Sequence, residues 1–417
     1  DTYKDSGVQW LGEIPGHWKT IRVKSLLSER VDKSTTGLEE PLSMSQKVGI
    51  IPTKEMDVVP NMASSYIGAK KVFKSDLVFN KLKAHLGVFA ISQYDGLVSP
   101  DYAVYTPNEL VCLPYMEYTF HTQLYIGEFK RRSTGVAIGL TRLYTPGLFA
   151  IPFVYPPLSE QRSIVSFLDA KCGKIDEWVT KKQKEVEHLQ ELKQRVIADA
   201  VTRGLNPHVK MKATNIPWLK EIPEHWERTT LRKFLRLFSV KNHGDKQLLS
   251  VTREQGVIVR DIASKEENHN FIPDDLSGYK YVQIGDFVIN KMKSWQGSYG
   301  VSNYEGIVSP AYYTCKLEGI DRNFFNLAIR SKIYVSFFGR YSKGIRVDQW
   351  DLSTFALTSI PFALPPLSEQ KQIVSYLDAK TSKIDKLIAH ITKEIECIKE
   401  YKQRLISDVV TGQIKVC

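Results

Sequence analysis

Apolar residues recur seven apart through the last part of the chain, at Leu377, Ile384, Ile391, Ile398 and Leu405. Ile388, Ile395 and Val409 fill the alternate positions, so about five heptads read as one long helix with a coiled-coil seam. The same spacing occurs earlier at Leu168, Ile175, Leu189 and Val196, with Val179 and Val186 alongside and Lys182 interrupting the seam. Lys193 and Lys402 fall on equivalent seam positions and suit a register-fixing role. Pro156-Pro157 and Pro365-Pro366 force an extended approach to each helix. Ser159 and Ser368 are the expected N-caps, each with a glutamate behind it in the first turn, where the helix dipole favours an anion. Gly204 and Gly412 are the expected ends.

The two helices open on one repeated stretch. Pro156 to Asp176 and Pro365 to Asp385 share 16 of 21 residues at a constant offset of 209. What precedes each also repeats: Trp10-Leu-Gly-Glu-Ile-Pro-Gly-His-Trp18 and Trp218-Leu-Lys-Glu-Ile-Pro-Glu-His-Trp226. His17 and His225 read there as packing or capping residues rather than catalysts. The chain is a tandem duplication with four segments: a module over 1–155, a helix over 156–206, a second module over 207–364 and a second helix over 365–417. Short runs of Val, Ile, Phe and Tyr between Gly and Pro, with a few helical stretches, predict modules of α/β (α+β) class. A helix of about 45 residues is roughly 65 Å long and cannot bury its seam on a compact module of its own. The two are therefore expected to pair with each other as an antiparallel coiled coil, with a module at either end.

Composition then narrows the partner. The net charge is +11; the helical segments carry only +1 and +2, leaving +8 on the modules. Basic modules joined by near-neutral helices suit an anionic partner such as nucleic acid. Leu42–Gly49 and Leu249–Gly256 read as strands running into loops, and the loops differ: Ser45, Gln46 and Lys47 against Thr252, Arg253 and Glu254. These side chains can read base edges, or else are ordinary hairpin tips. Lys81/Lys83 and Lys291/Lys293 have period 2, which on a strand gives a phosphate-facing stripe or a solvated strand end. Arg131, Arg132 and Lys343 lie around glycines in a second candidate loop, with Arg142 and Arg346 just beyond. Five scattered cysteines form no CxxC pair, so neither a zinc site nor a disulfide framework is indicated. No apolar run reaches membrane-spanning length, and the start has no apolar signal core; a cytoplasmic protein is expected. No phosphate loop, HExxH, GxSxG or [ND]PP[YF] motif occurs. Asp101, Glu128 and Lys130 mimic the PD…ExK signature of metal-dependent nucleases in the first half, while the second half has Ala311 for Asp101.

Taken together, PPLSEQ-x2-IVS-x-LDAK-x2-KID before a heptad helix, twice, with W-x-x-EIP-x-HW opening each half, closely resembles the specificity subunit of type I restriction–modification enzymes. The resemblance covers essentially the whole chain. It implies a non-catalytic subunit in which each module is a target-recognition domain for half of a bipartite double-stranded DNA target. The paired helices would set the spacer and dock two adenine-methyltransferase subunits, and two restriction (motor-nuclease) subunits can join. S-adenosylmethionine would belong to the methyltransferase partner, ATP and Mg to the restriction partner, and no cofactor or metal to this chain. A Mg-dependent nuclease and a coiled-coil adaptor without a DNA role are the alternatives.

Overall fold

In the computed structural model, which describes residues 2–46, 48–56, 65–135, 141–216, 218–261, 272–273, 275–346 and 349–416, both heptad runs form continuous helices, Leu158–Arg203 and Leu367–Val410. The helices run antiparallel and touch each other. Lys402 Nζ lies 2.7 Å from both carboxylate oxygens of Asp176. Its counterpart Lys193 makes the same pair with Asp385, also at 2.7 Å. Of the seam residues, Leu168, Val179, Leu377, Ile384, Ile391, Ile395 and Leu405 are buried, while Ile175, Val186, Leu189, Val196, Ile388 and Ile398 are partly buried. Lys182, the charged residue on the seam, holds its ammonium at the rim, 4.0 Å from Glu394 and above the Trp178 ring. Its alkyl stem covers the seam while the head stays wet.

The N-caps are not the serines. Each helix begins at Leu158 or Leu367, which places Ser159 and Ser368 inside the first turn. Pro157 and Pro366 stand at the cap, their carbonyls accepting from Gln161 and Gln370 N–H at 3.0 Å. A cap residue is extended and needs no N–H of its own, which suits the second proline of each pair.

The chain divides into two compact units, Asp1–Gln183 with Lys393–Cys417, and Lys184–Thr392. The first has a four-stranded antiparallel sheet in the order Leu27–Glu29, Tyr102–Pro107, Leu77–Asn80, Phe89–Ile91. The second repeats it with Leu235–Phe238, Tyr313–Leu317, Phe287–Ile289, Tyr299–Val301. Antiparallel sheets with separate helices put the modules on the α+β side of the expected class. Strand alternation buries both faces. In the first unit Leu77, Phe79, Ala103 and Tyr105 face a core with the helices Leu113–Phe120 and Gln123–Arg132. Val78 and Val104 face the other way, against Leu42, Met44 and Ile50 of a hairpin. In the second unit Phe287 and Ile289 face the helices, and Val288 faces Leu249, Val251 and Val257 of the matching hairpin.

The start of one long helix and the end of the other share the core of each unit. Ile164 and Leu168 pack with Leu405, Val409 and Val410 in the first, and Ile373 and Leu377 with Ile197, Ala200 and Val201 in the second. The Glu-Gln that recurs in both copies of the repeated stretch fastens the module to the helix. Glu160 accepts from Trp18 Nε1 at 2.8 Å and bonds His17 Nε2 at 2.7 Å; Glu369 does the same for Trp226 at 3.0 Å and His225 at 2.7 Å. Gln161 accepts from Cys112 N–H and donates to the Pro156 carbonyl, and Gln370 does so with Asp321 and Pro365. Among the described residues no helix is long and apolar enough to cross a membrane.

Two glycines test this packing. Gly412 ends the second helix at φ +78°, with Gln413 N–H bonded to the Asp408 carbonyl, and a Cβ there would collide with Pro15 Cδ. Gly412→Ala is expected to destabilise the protein by about 1–3 kcal/mol. Gly173, mid-helix with nothing within 4 Å of an added Cβ, should instead gain about 0.5–1 kcal/mol on change to alanine. Chemical denaturation of both variants checks the two signs.

Candidate nucleic-acid interface

Each hairpin packed on the outer sheet face carries one candidate loop. In the first unit Ser45 ends a strand opposite Gly49 and its hydroxyl accepts from Val48 N–H at 3.3 Å. Gln46 is exposed and donates to the Leu86 carbonyl at 2.7 Å, joining the hairpin to the turn that follows Lys83. Lys47 lies outside the described residues. In the second unit Thr252 stands opposite Gly256 and accepts from Gln255 N–H at 3.2 Å. Arg253 is exposed, and no partner for its guanidinium is found among the described residues. The loop beneath it is pinned by Arg330, whose Nη2 donates to the Arg253 carbonyl at 3.0 Å and the Glu254 carbonyl at 2.7 Å. Arg330 Nη1 reaches the Tyr299 carbonyl at 2.6 Å, and burial draws the arginine's pKa below its ordinary value.

The lysine pairs are not on strands. The strands stop at Asn80 and Ile289, and Lys81, Lys83, Lys291 and Lys293 occupy the turns that follow. Asparagine ends each strand: Asn80 Oδ1 accepts from Leu82 and Lys83 N–H, and Asn290 Oδ1 from Met292 N–H, a side-chain turn that competes with the ladder. Lys83 and Lys293 are exposed at the turn ends. Lys81 Nζ donates to the Pro100 carbonyl at 3.2 Å, and Lys291 lies 3.5 Å from Asp351.

Two further lysines escaped the sequence reading. Lys70 donates to the Tyr102 carbonyl at 2.8 Å, and its equivalent Lys280 to the Tyr312 carbonyl at 2.6 Å. Both pKa values are depressed, first by burial and then by like charge: from Lys81 on Lys70, and from Lys241 and Lys291 on Lys280. Each unit thus gathers cations close enough to repel one another, with Glu29 3.7 Å from Lys70 and Asp351 3.5 Å from Lys291 offsetting part of that charge. The available signal was the repetition of a lysine two residues before Val72 and Val282, which charge counting alone does not single out.

Arg131 and Arg132 are not in a loop. They form the last turn of the helix Gln123–Arg132, where cations suit the dipole, and both hold Glu128, at 2.7 and 2.8 Å from Arg131 and 3.0 Å from Arg132. Arg142 bridges to Thr134 and donates to Asp101 at 3.2 Å. Lys343 and Arg346 lie in a strand paired with Gln349–Asp351; their side chains are outside the described part.

The match with known proteins follows the duplication. Residues 229–397 match the family model of the type I restriction modification DNA specificity domain. A putative type I restriction enzyme MjaX specificity subunit of Methanocaldococcus jannaschii is 24% identical over 97% of this chain and 96% of its own. The chain is thus similar to type I restriction–modification specificity subunits over nearly its whole length, and its second half carries their DNA specificity domain. The MjaVIII specificity subunit of the same organism is 27% identical over 63% of this chain and 61% of its own length. Among solved structures, a chain from a study of assembly and conformational transition of the type I R-M system superposes with a TM-score of 0.69 at 14% identity, covering 96% of this chain and 99% of that one. The HsdS subunit from Thermoanaerobacter tengcongensis gives 0.51 at 15% identity, covering 96% and 98%.

The nuclease alternative gains no support from the residues it would use. Glu128 is buried under two guanidiniums, and the hydrogen bond from Arg131 holds its carboxyl below the usual range against the opposing effect of burial. Asp101 is engaged by Arg142, and Lys130 is exposed on the helix.

The second hairpin should depend on Arg330. In Arg330→Ala the amides of 249–259 are expected to exchange faster with deuterium, with those of the sheet strands unchanged. Equal protection in both proteins would show that the loop holds itself.

Proposed function

We propose that this specificity subunit directs a type I restriction–modification complex to a bipartite double-stranded DNA target, each module reading one half-site. The observation that supports it is the pairing of a repeated cationic frame with unrepeated loops. Lys70, Lys81 and Lys83 recur as Lys280, Lys291 and Lys293, whereas Ser45-Gln46 becomes Thr252-Arg253. Phosphate contacts position a protein on DNA without reading sequence, and base-edge contacts specify. A constant frame with variable tips suits two readers of different half-sites.

In this reading the paired long helices set the spacer and dock two adenine-methyltransferase subunits, to which two restriction subunits are added. S-adenosylmethionine acts in the modification subunits, and ATP and Mg in the restriction subunits. The complex works in the cytoplasm, where DNA is. Adenine methylation takes the base out of the stack, so the specificity subunit holds the duplex for chemistry done by its partners.

The deciding experiment is reconstitution with the modification subunit and sequencing of the methylated sites. One two-part motif with a fixed nonspecific spacer is expected; a single continuous motif overturns the two-reader scheme. Replacing 207–364 by the module of a relative should change one half of the motif and keep the other. Arg253→Ala should relax one position at about 1–3 kcal/mol if it makes a bidentate base contact. Lys293→Ala, by contrast, should weaken binding of all sequences and lower the slope of affinity against salt by about one.

A further inference from the structure

Buried polar atoms are rarely left without a hydrogen bond, so each one that is calls for a partner or a reason. Seven such side-chain atoms occur among the described residues: Thr20 Oγ1, His85 Nδ1, Arg142 Nε, Trp218 Nε1, Trp295 Nε1, Ser331 Oγ and Asp351 Oδ1. Four of the seven fall on two pairs of equivalent positions. His85 corresponds to Trp295, each the middle residue of a short turn ended by a left-handed glycine, Gly87 or Gly297. Arg142 corresponds to Asp351, each paired antiparallel with a strand or bridge partner, Thr134 or Lys343, and each followed by a buried leucine. Thr20, Trp218 and Ser331 have no such counterpart.

In both units these two positions come together through the same lysine. Leu143 N–H donates to the Lys81 carbonyl at 2.9 Å, tying the residue after Arg142 to the turn that carries His85. Lys291, at the equivalent place, pairs with Asp351 at 3.5 Å, a separation too long to satisfy the carboxylate oxygen as a hydrogen bond. Trp295 stacks on Trp350, the neighbour of Asp351, with ring centroids 5.2 Å apart. The backbone and the lysine are thus kept while the chemistry is inverted: an imidazole and a cation in one module, an indole donor and an anion in the other.

We propose that His85 with Arg142, and Trp295 with Asp351, form a further specificity-determining pair in each module, beside the hairpin tips. Arg142, whose Nη2 donates to Asp101 at 3.2 Å, turns its remaining N–H groups to base-edge acceptors, guanine O6 and N7 being the pair that a guanidinium matches. Asp351 takes a base-edge amino donor such as cytosine N4. An aspartate facing DNA needs a nearby cation to tolerate the phosphates, and Lys291 supplies it. The assignment rests on the reading of the chain as a two-module DNA specificity subunit.

The test uses the complex of the full chain with its modification subunit, and methylation sequencing of a random-sequence DNA library. Arg142→Gln is expected to relax discrimination at one base pair of one half-site, and Asp351→Asn at one base pair of the other, by about tenfold or more, the opposite half-site being unchanged. An unaltered motif in both variants overturns the proposal, as does uniform weakening across all positions. If either variant fails to fold, Trp295→His decides, since it gives the second module the residue the first already accommodates: a changed second half-site supports the assignment, an unchanged one overturns it. A wild-type complex that yields no two-part motif overturns the functional reading instead, and is distinguishable because it precedes any variant.

Discussion

One carboxylate in each unit joins pieces of chain that no local rule brings together. Glu160 stands in the first turn of its helix, grips the indole N–H of Trp18 and bonds His17, residues more than a hundred positions earlier. The Trp18 ring is buried, and the glycine that ends the other long helix lies against it. Glu369, Trp226 and Gly204 repeat the arrangement. An indole donor removed from water costs free energy unless it meets an acceptor. The glutamate therefore fixes where the module sits on the helix start, and the tryptophan fixes where the other helix must stop. Sheet, hairpins and candidate loops hang from that junction.

The ion pairs between the helices have a different weight. Lys402–Asp176 and Lys193–Asp385 are well aligned, but all four side chains are at least a quarter exposed. Pairs of this kind contribute little, at most about 1 kcal/mol each. Their use is to select register: a slip by one residue would separate both lysines from both aspartates at once while displacing the buried leucines and isoleucines. Burial of the seam holds the helices together, and the charges choose which antiparallel alignment it takes.

What could be read from the chain divides along the same line. The heptads, the duplication and the helix ends at Gly204 and Gly412 are periodic or punctuated, and so visible in sequence. The misread features all depended on a competing local bond or a distant partner. Lys81 and Lys83 looked like strand residues because the period was right, but the Asn80 side chain had already turned the chain. Ser159 has the residue type of a cap, but Pro157, two residues before it, takes the place. Arg131 and Arg132 looked like loop cations, yet Glu128 one turn back gathers them onto a helix. Lys70 and Lys280 drew no notice, because what distinguishes them is partial burial beside other lysines from elsewhere in the chain.

The sharing of each core between one helix start and the other helix end bears on the order in which the protein can form. The second unit is one uninterrupted run, Lys184–Thr392, and can close as soon as that run has left the ribosome. The first unit needs Leu405, Val409 and Val410 for its core, and the Tyr115 hydroxyl reaches the Val410 carbonyl at 2.9 Å across 295 positions. The unit whose chain starts first thus closes after the other, the reverse of the usual vectorial sequence. Until residues 405–410 have been made, the apolar face around Trp18 and Leu168 lacks its native cover.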